Sequence, residues 1–257
     1  MIIAIINNKG GTGKTTTCVN LSAYLAASGY RVLLVDLDSQ ASASLSLGIS
    51  RSALAPSVAH LLFGSVGVED AIRPSVVPGL DLLTGQMELA NTDLMLADVP
   101  GREKRLSKCL KGVRGQYDFI FCDCPPSLSM LPVNALVAAD RYMVPVTPEY
   151  LALEGLIGVM SGIDRMKKGI GVQTGLLGIV LTLVNPSLRI SREITGLIRE
   201  HYGNHVFGTE IRRDVRLAEA PAFGKSVFEF APKSRGAAAY GLLAGEVLER
   251  CGARGGE

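Results

Sequence analysis

Asn8-Lys9-Gly10-Gly11-Thr12-Gly13-Lys14-Thr15-Thr16 follows directly on the apolar run Ile2-Ile3-Ala4-Ile5-Ile6, and this junction decides the fold. A β-branched run, a glycine-rich turn and a helix-compatible segment make the strand–loop–helix of a phosphate-binding loop. Side chains at Gly10, Gly11 and Gly13 would block a polyphosphate; without them the backbone can curl with its N–H groups pointing inward. The helix opening at about Lys14 adds the partial positive charge of its N-terminus. Lys14 supplies a mobile ammonium for the β/γ phosphates, and the Thr15 hydroxyl is placed to ligate Mg²⁺. Thr12 and Thr16 complete the segment expected to wrap the nucleotide.

The segment departs from G-x-x-x-x-G-K-[ST] at its first position, where Asn8 stands in place of the opening glycine. A second lysine, Lys9, precedes the glycines. Two lysines five residues apart around one glycine loop form a much narrower pattern than the general P-loop.

The chain of 257 residues is 47% apolar and 19% charged, which suits a globular core and argues against extended disorder. A single α/β domain spanning 1–257 is expected. Net charge is only +2, so any nucleic-acid surface must be local. Residues 1–150 carry 12 Lys/Arg against 13 Asp/Glu, and residues 151–257 carry 14 against 11, so the positive excess lies in the C-terminal part. Five cysteines without a Cys-x-x-Cys point to a reducing, cytoplasmic setting. The chain enters its core at Ile2 without a basic-then-apolar leader, and no apolar stretch reaches the length of a membrane span.

After the loop, Thr16–Ser28 reads as a helix ended by Gly29. Arg31–Val35 is a buried strand without alternation, as in a parallel sheet covered on both faces, and it runs into Asp36-Leu37-Asp38-Ser39-Gln40. Carboxylates at the C-terminal edge of a parallel strand sit where α/β sheets bind ligands. Tyr117–Cys122 is a second such strand, ending in Asp123. An apolar strand terminating in Asp is the arrangement that holds Mg²⁺ beside phosphates, usually through water. Cys122 and Cys124 flank it as small buried hydrophobes. Pro56–Phe63, Met87–Val99, the basic amphipathic Arg102–Arg114, Glu149–Lys168, Ile190–Tyr202 and Ala237–Cys251 are expected helices. Leu80–Leu83, Arg141–Val146, Leu176–Val184 and Ser226–Phe230 are expected strands. The alternation predicts an α/β fold: a doubly wound, mostly parallel sheet flanked by helices.

Lys9–Thr16, Val32–Gln40 and Ile120–Leu128 together resemble the deviant-Walker P-loop ATPases of the ParA/Soj partition family. Asn134–Asp140, Glu149–Gly155, Val215–Pro221 with Gly224-Lys225, and Ser234–Tyr240 extend the resemblance over nearly the whole chain. It implies that ATP and Mg²⁺ are sandwiched between two subunits of a homodimer. Lys9 would be the signature lysine, reaching across the two-fold interface to the partner's nucleotide as an arginine finger does. Asp38 would orient or deprotonate the attacking water, Asp36 and Asp123 would join Thr15 around Mg²⁺, and Asn185 would contact the base. Hydrolysis would be slow and set by a ParB-like activator. Ser39 replaces the usual Pro of Asp-x-Asp-Pro-Gln, Thr12 the usual Val, and Arg212 the Pro of Ile-Pro-Arg.

The family's ATP-bound dimer binds DNA without sequence preference. The candidate surface is Arg189, Arg192, Arg212, Arg213 and Arg216, with Arg199 the weakest of the six arginines between 186 and 216. No helix-turn-helix precedes Ile2, so operator binding is not expected. Localisation would be cytoplasmic and nucleoid-associated, with plasmid, chromosome or another cargo equally compatible. A MinD-like membrane cycle would need a basic amphipathic tail; Glu246–Glu257 mixes acids with glycines, so stable membrane binding is not expected. A nitrogenase-type iron protein would need a cysteine in Pro125–Leu131, and a GTPase an Asn-Lys-x-Asp motif; neither occurs.

Overall fold

The computed structural model describes residues 1–127 and 129–252. Leu128, at the end of the Ile120–Leu128 segment, and the last five residues of the Glu246–Glu257 tail lie outside the described residues. Eight strands form one sheet in the order β3-β4-β2-β5-β1-β6-β7-β8. They are β1 (Ile2–Ile5), β2 (Val32–Asp36), β3 (Ile72–Val77), β4 (Leu80–Leu83), β5 (Phe119–Asp123), β6 (Arg141–Val146), β7 (Gly175–Val184) and β8 (Val206–Arg212). Every neighbouring pair is parallel except β3 with β4, an antiparallel edge.

β1, β2 and β5 are buried along their entire length because helices cover both faces. One apolar cluster joins Ile2, Leu33, Ile120 and Val144 to Leu106, Leu136 and Val159. The other joins Ile3, Leu34, Phe121 and Val180 to Leu21, Tyr240 and Leu243 on the opposite face. Alternate residues of each strand therefore feed alternate layers. From central β1 the chain winds outward on one side to β2 and on the other to β6, β7 and β8. The crevice at β1 and β5 is thus the topological switch point, where such sheets bind ligands.

Two strands, β3 and β8, escaped the sequence reading, and one expected strand is a helix. β8 runs Val-Phe-Gly-Thr-Glu-Ile-Arg, whose glycine and charges belong to an edge strand rather than a buried one. Ser226–Phe230, an expected short strand, forms the helix Val227–Phe230. The Ser226 side chain accepts from the Glu229 N–H while Glu229 receives the Ser226 N–H, a capping box that outweighs strand propensity over so short a stretch. Met87–Val99 and Arg102–Arg114 are broken into 3₁₀ and short α segments. Leu106, Leu110 and Val113 nevertheless all turn inward, as the periodicity requires.

Candidate functional site

The glycine loop leaves β1 at the centre of the sheet and enters the helix Lys14–Ala27. Gly11 and Gly13 have φ of 71° and 78°, values open to glycine and costly for other residues. A Cβ on Gly10 or Gly11 would meet nothing within 4 Å, so the shelf above the loop is open. The loop is braced from two neighbouring strands. Asn7 donates to the Pro145 carbonyl at 2.7 Å and accepts the Lys9 N–H at 3.0 Å. From β7, the buried Thr182 hydroxyl donates to the Thr12 carbonyl at 2.8 Å. Thr182 and Asn7 were not singled out from sequence; their roles arise only from contacts spanning well over a hundred residues.

Lys14 is buried, and its ammonium donates to the Lys9 carbonyl at 3.0 Å. Burial lowers its pKa, and Asp123 opposes that shift. Lys9, in contrast, extends to the surface, where its ammonium lies 3.1 Å from Glu149 Oε2, with 56% of the lysine side chain exposed. The two lysines of the motif therefore point to different places, one into the loop and one out of it.

Register sets Ile5, Asp36 and Asp123 side by side at the C-terminal ends of β1, β2 and β5. Both acids are fully buried but differently treated. Asp36 Oδ2 accepts the Ser44 N–H at 2.8 Å and the Ser44 hydroxyl at 2.7 Å, and Asp36 Oδ1 accepts the Asp38 N–H at 3.1 Å. Burial pushes this carboxyl up, while these donors pull it part-way back. Among the described residues, neither oxygen of Asp123 has a hydrogen-bond partner. Burial pushes it up and the Asp36 charge pushes it further; the Thr15 hydroxyl and the Lys14 ammonium act in the opposite direction. An orphaned buried carboxyl beside Lys14 and Thr15 is the donor set expected to face a hydrated Mg²⁺ and phosphates. Among the described residues no cluster of three or more His, Cys, Asp or Glu is arranged to hold a metal alone. That fits Mg²⁺, which takes one or two carboxylates and draws its other ligands from water and phosphate.

Asp38 is half-buried, and its Oδ1 accepts the Gln40 N–H at 2.9 Å, a local Asx turn at the rim of the site. Ala41 follows with φ 55°, a strained value for alanine. Gly85 completes this corner. Its N–H donates to the Ser44 hydroxyl at 3.0 Å, and a Cβ there would stand 2.5 Å from the Asp38 carbonyl. Asn185, at the end of β7, accepts the Ser187 N–H and receives no other side-chain assignment from the geometry.

The basic surface stands on the same end of the sheet, because Val184 of β7 is in register with Arg212 of β8. Arg189 pairs with Glu193 at 2.6 Å and Arg192 donates to the Pro186 carbonyl at 2.7 Å, both exposed. Arg213 and Arg216 share a cleft of about 880 Å³ with Lys233 and Arg235. Lys233 and Arg235 went unread in the sequence because they reach this cleft only through the packing of the helix Arg235–Arg250. Arg212 lines the neighbouring groove with Arg235. Arg199 turns inward, donating to the Phe207 and Gly208 carbonyls and to Glu210, and is a structural clamp on β8.

A glycine loop between a central strand and a helix, with acids at the ends of adjacent strands, defines a P-loop nucleotide-binding protein. Residues 1–174 match the AAA domain family. The chain is 43% identical over 248 residues to the chromosome-partitioning ATPase Soj of Thermus thermophilus, covering 96% of this chain and 95% of that protein. It is 40% identical over 246 residues to the sporulation initiation inhibitor protein Soj of Bacillus subtilis, covering 96% and 97%. A cobyrinic acid a,c-diamide synthase from Mycobacterium smegmatis, crystallised with an ATP analogue and magnesium, superposes with TM-score 0.85 at 33% identity, covering 98% of this chain and 95% of that one. The chain belongs to the ParA/Soj family of P-loop ATPases.

Proposed function

We propose that this ParA-like ATPase segregates DNA: its ATP-bound homodimer binds DNA without sequence preference and is released when a ParB-like partner stimulates hydrolysis. The observation that carries the reading is the division of labour between the two loop lysines. Lys14 is turned into the loop, whereas Lys9 stands half-exposed at its front, held by an exposed ion pair to Glu149. A lysine turned away from its own loop, in a pair exposed enough to be weak, supports a role at a neighbouring subunit's nucleotide.

Gly10, Gly11, Thr12, Gly13, Lys14, Thr15 and Thr16 bind the ATP phosphates through inward N–H groups and the Lys14 ammonium. Thr15 and Asp123 would hold Mg²⁺, with Asp36 behind them fixing the strand end through Ser44. Bound Mg²⁺ would offset phosphate charge in the transition state. Asp38 orients the attacking water, and Lys9 of each subunit offsets charge in the other. Arg189, Arg192, Arg212, Arg213 and Arg216, joined by Lys233 and Arg235, form the DNA surface in the nucleoid-facing cytoplasm. Support comes from their convergence at one end of the sheet and from the relatives named for chromosome partitioning.

DNA retention measured with ATP and with ADP over a salt series tests this reading. Retention with ATP alone, falling steeply with salt, is expected. Equal retention with both nucleotides, or none with either, would overturn it.

A further inference from the structure

We propose that Glu149 is a positioning residue that latches Lys9 inside its own subunit and gives it up when two nucleotide-bound subunits meet, so that dimerisation is opposed by the loss of an intramolecular ion pair. This rests on the reading of the chain as an ATP-gated dimer and adds the element that keeps the nucleotide-free subunit apart.

Lys9 is tethered at both ends. Its ammonium lies 3.1 Å from Glu149 Oε2, across 140 residues of sequence. Its carbonyl accepts the Lys14 ammonium at 3.0 Å and the Thr12 hydroxyl at 3.3 Å. A triphosphate competes for Lys14 far better than a peptide carbonyl does, so nucleotide in the same subunit removes one tether of Lys9. The remaining ion pair is half-exposed on both sides and therefore weak enough to be exchanged for the denser charge of a partner's nucleotide.

Glu149 is held in place for this contact. Its N–H donates to the Thr147 carbonyl at 2.8 Å and its carbonyl accepts the Ala152 N–H at 3.0 Å, closing a tight turn between β6 and the helix Ala152–Ile170. Within that turn Leu151 has φ 64°, a conformation leucine rarely adopts. The turn exposes Tyr150 and Leu151, 77% and 53% accessible. When Lys9 departs, Arg213, 3.9 Å from Glu149 Oε1, remains to pair with the carboxylate.

The test is sedimentation velocity of wild type, Glu149→Gln and Glu149→Asp with a non-hydrolysable ATP analogue, at low and high salt. An exposed ion pair is worth up to about fivefold, and each dimer opens two, so Glu149→Gln should tighten dimerisation by up to about 25-fold at low salt. The gap should close at high salt, where exposed pairs are screened. Glu149→Asp, which keeps the charge, should stay near wild type, and monomer affinity for the analogue should not change. A Glu149→Gln dimer no tighter than wild type overturns the proposal, and a weaker one means that the carboxylate serves the partner instead. Wild type that stays monomeric with the analogue fails the dimer reading itself, a result separate from a dimer indifferent to Glu149.

Discussion

Replacing Asp123 by Asn should make the metal-free protein more stable, although it should remove the activity. Asp123 is fully buried, and among the described residues neither carboxylate oxygen has a hydrogen-bond partner. Burying a carboxyl to that extent raises its pKa by up to 3–5 units, and each unit is worth about 1.4 kcal/mol, so the ionised form costs up to about 4–7 kcal/mol at high pH. The Lys14 ammonium and Thr15 hydroxyl offset part of this. An Asn amide keeps the shape and removes the charge, but leaves polar atoms unpaired at about 1–3 kcal/mol. The net gain is about 1–3 kcal/mol. For a chain of 257 residues that is about 2–6 °C in Tm, from about 2 cal/mol/K of unfolding entropy per residue.

The sign of the pH dependence follows from the direction of the shift. A carboxyl raised above its unfolded value binds more protons in the folded state, so wild-type stability falls as pH rises from the ordinary carboxylate range towards the raised value. The advantage of Asp123→Asn should therefore be full near pH 8 and shrink near pH 5. Thermal unfolding in chelator at the two pH values measures it. A variant that melts below wild type at pH 8, or a gap that widens on acidification, would refute the reasoning.

Arg213→Ala, Arg216→Ala and Lys233→Ala should each weaken DNA retention and lower the salt slope on duplex DNA by about 0.9, with ATP-dependent dimerisation kept; a filter-binding salt series reads this. Gly85→Ala forces a Cβ to 2.5 Å from the Asp38 carbonyl, so the backbone carrying Asp38 must move. The expected loss is about 1–3 kcal/mol of stability together with a drop in hydrolysis rate, read by melting and phosphate release. Thr182→Val removes the donor that holds the Thr12 carbonyl. One neutral hydrogen bond is worth about 0.5–1.5 kcal/mol, so nucleotide affinity by calorimetry should fall about two- to tenfold with little change in fold.

What could be read from the sequence was what the chain writes locally. The glycine loop, the apolar strands and the acids at their ends lie within a few residues of one another, and spacing alone places them on strand, turn and helix. The partners of those residues were not legible. Ser44 and Gly85 meet Asp36 and Asp38 only after β2 and β4 have paired, and Thr182 reaches Thr12 from the opposite side of β1. Glu149 could be read as part of a resemblance but not as the residue that holds Lys9, because no local pattern encodes a contact across 140 residues. Ser226–Phe230 shows the reverse failure. The serine and glutamate three residues apart spell a helix start, a stronger signal than the β-branched and aromatic residues of the expected strand. The edge strands β3 and β8 carry partial burial and charge and so lack the continuous apolar signal of the central strands.

Whether Lys9 works in a neighbouring subunit is decided by sedimentation of wild type and Lys9→Ala with a non-hydrolysable ATP analogue. Wild type should dimerise, and Lys9→Ala should stay monomeric while still binding the analogue. A wild type that remains monomeric with nucleotide bound, or a Lys9→Ala protein that dimerises as tightly as wild type, would contradict that role.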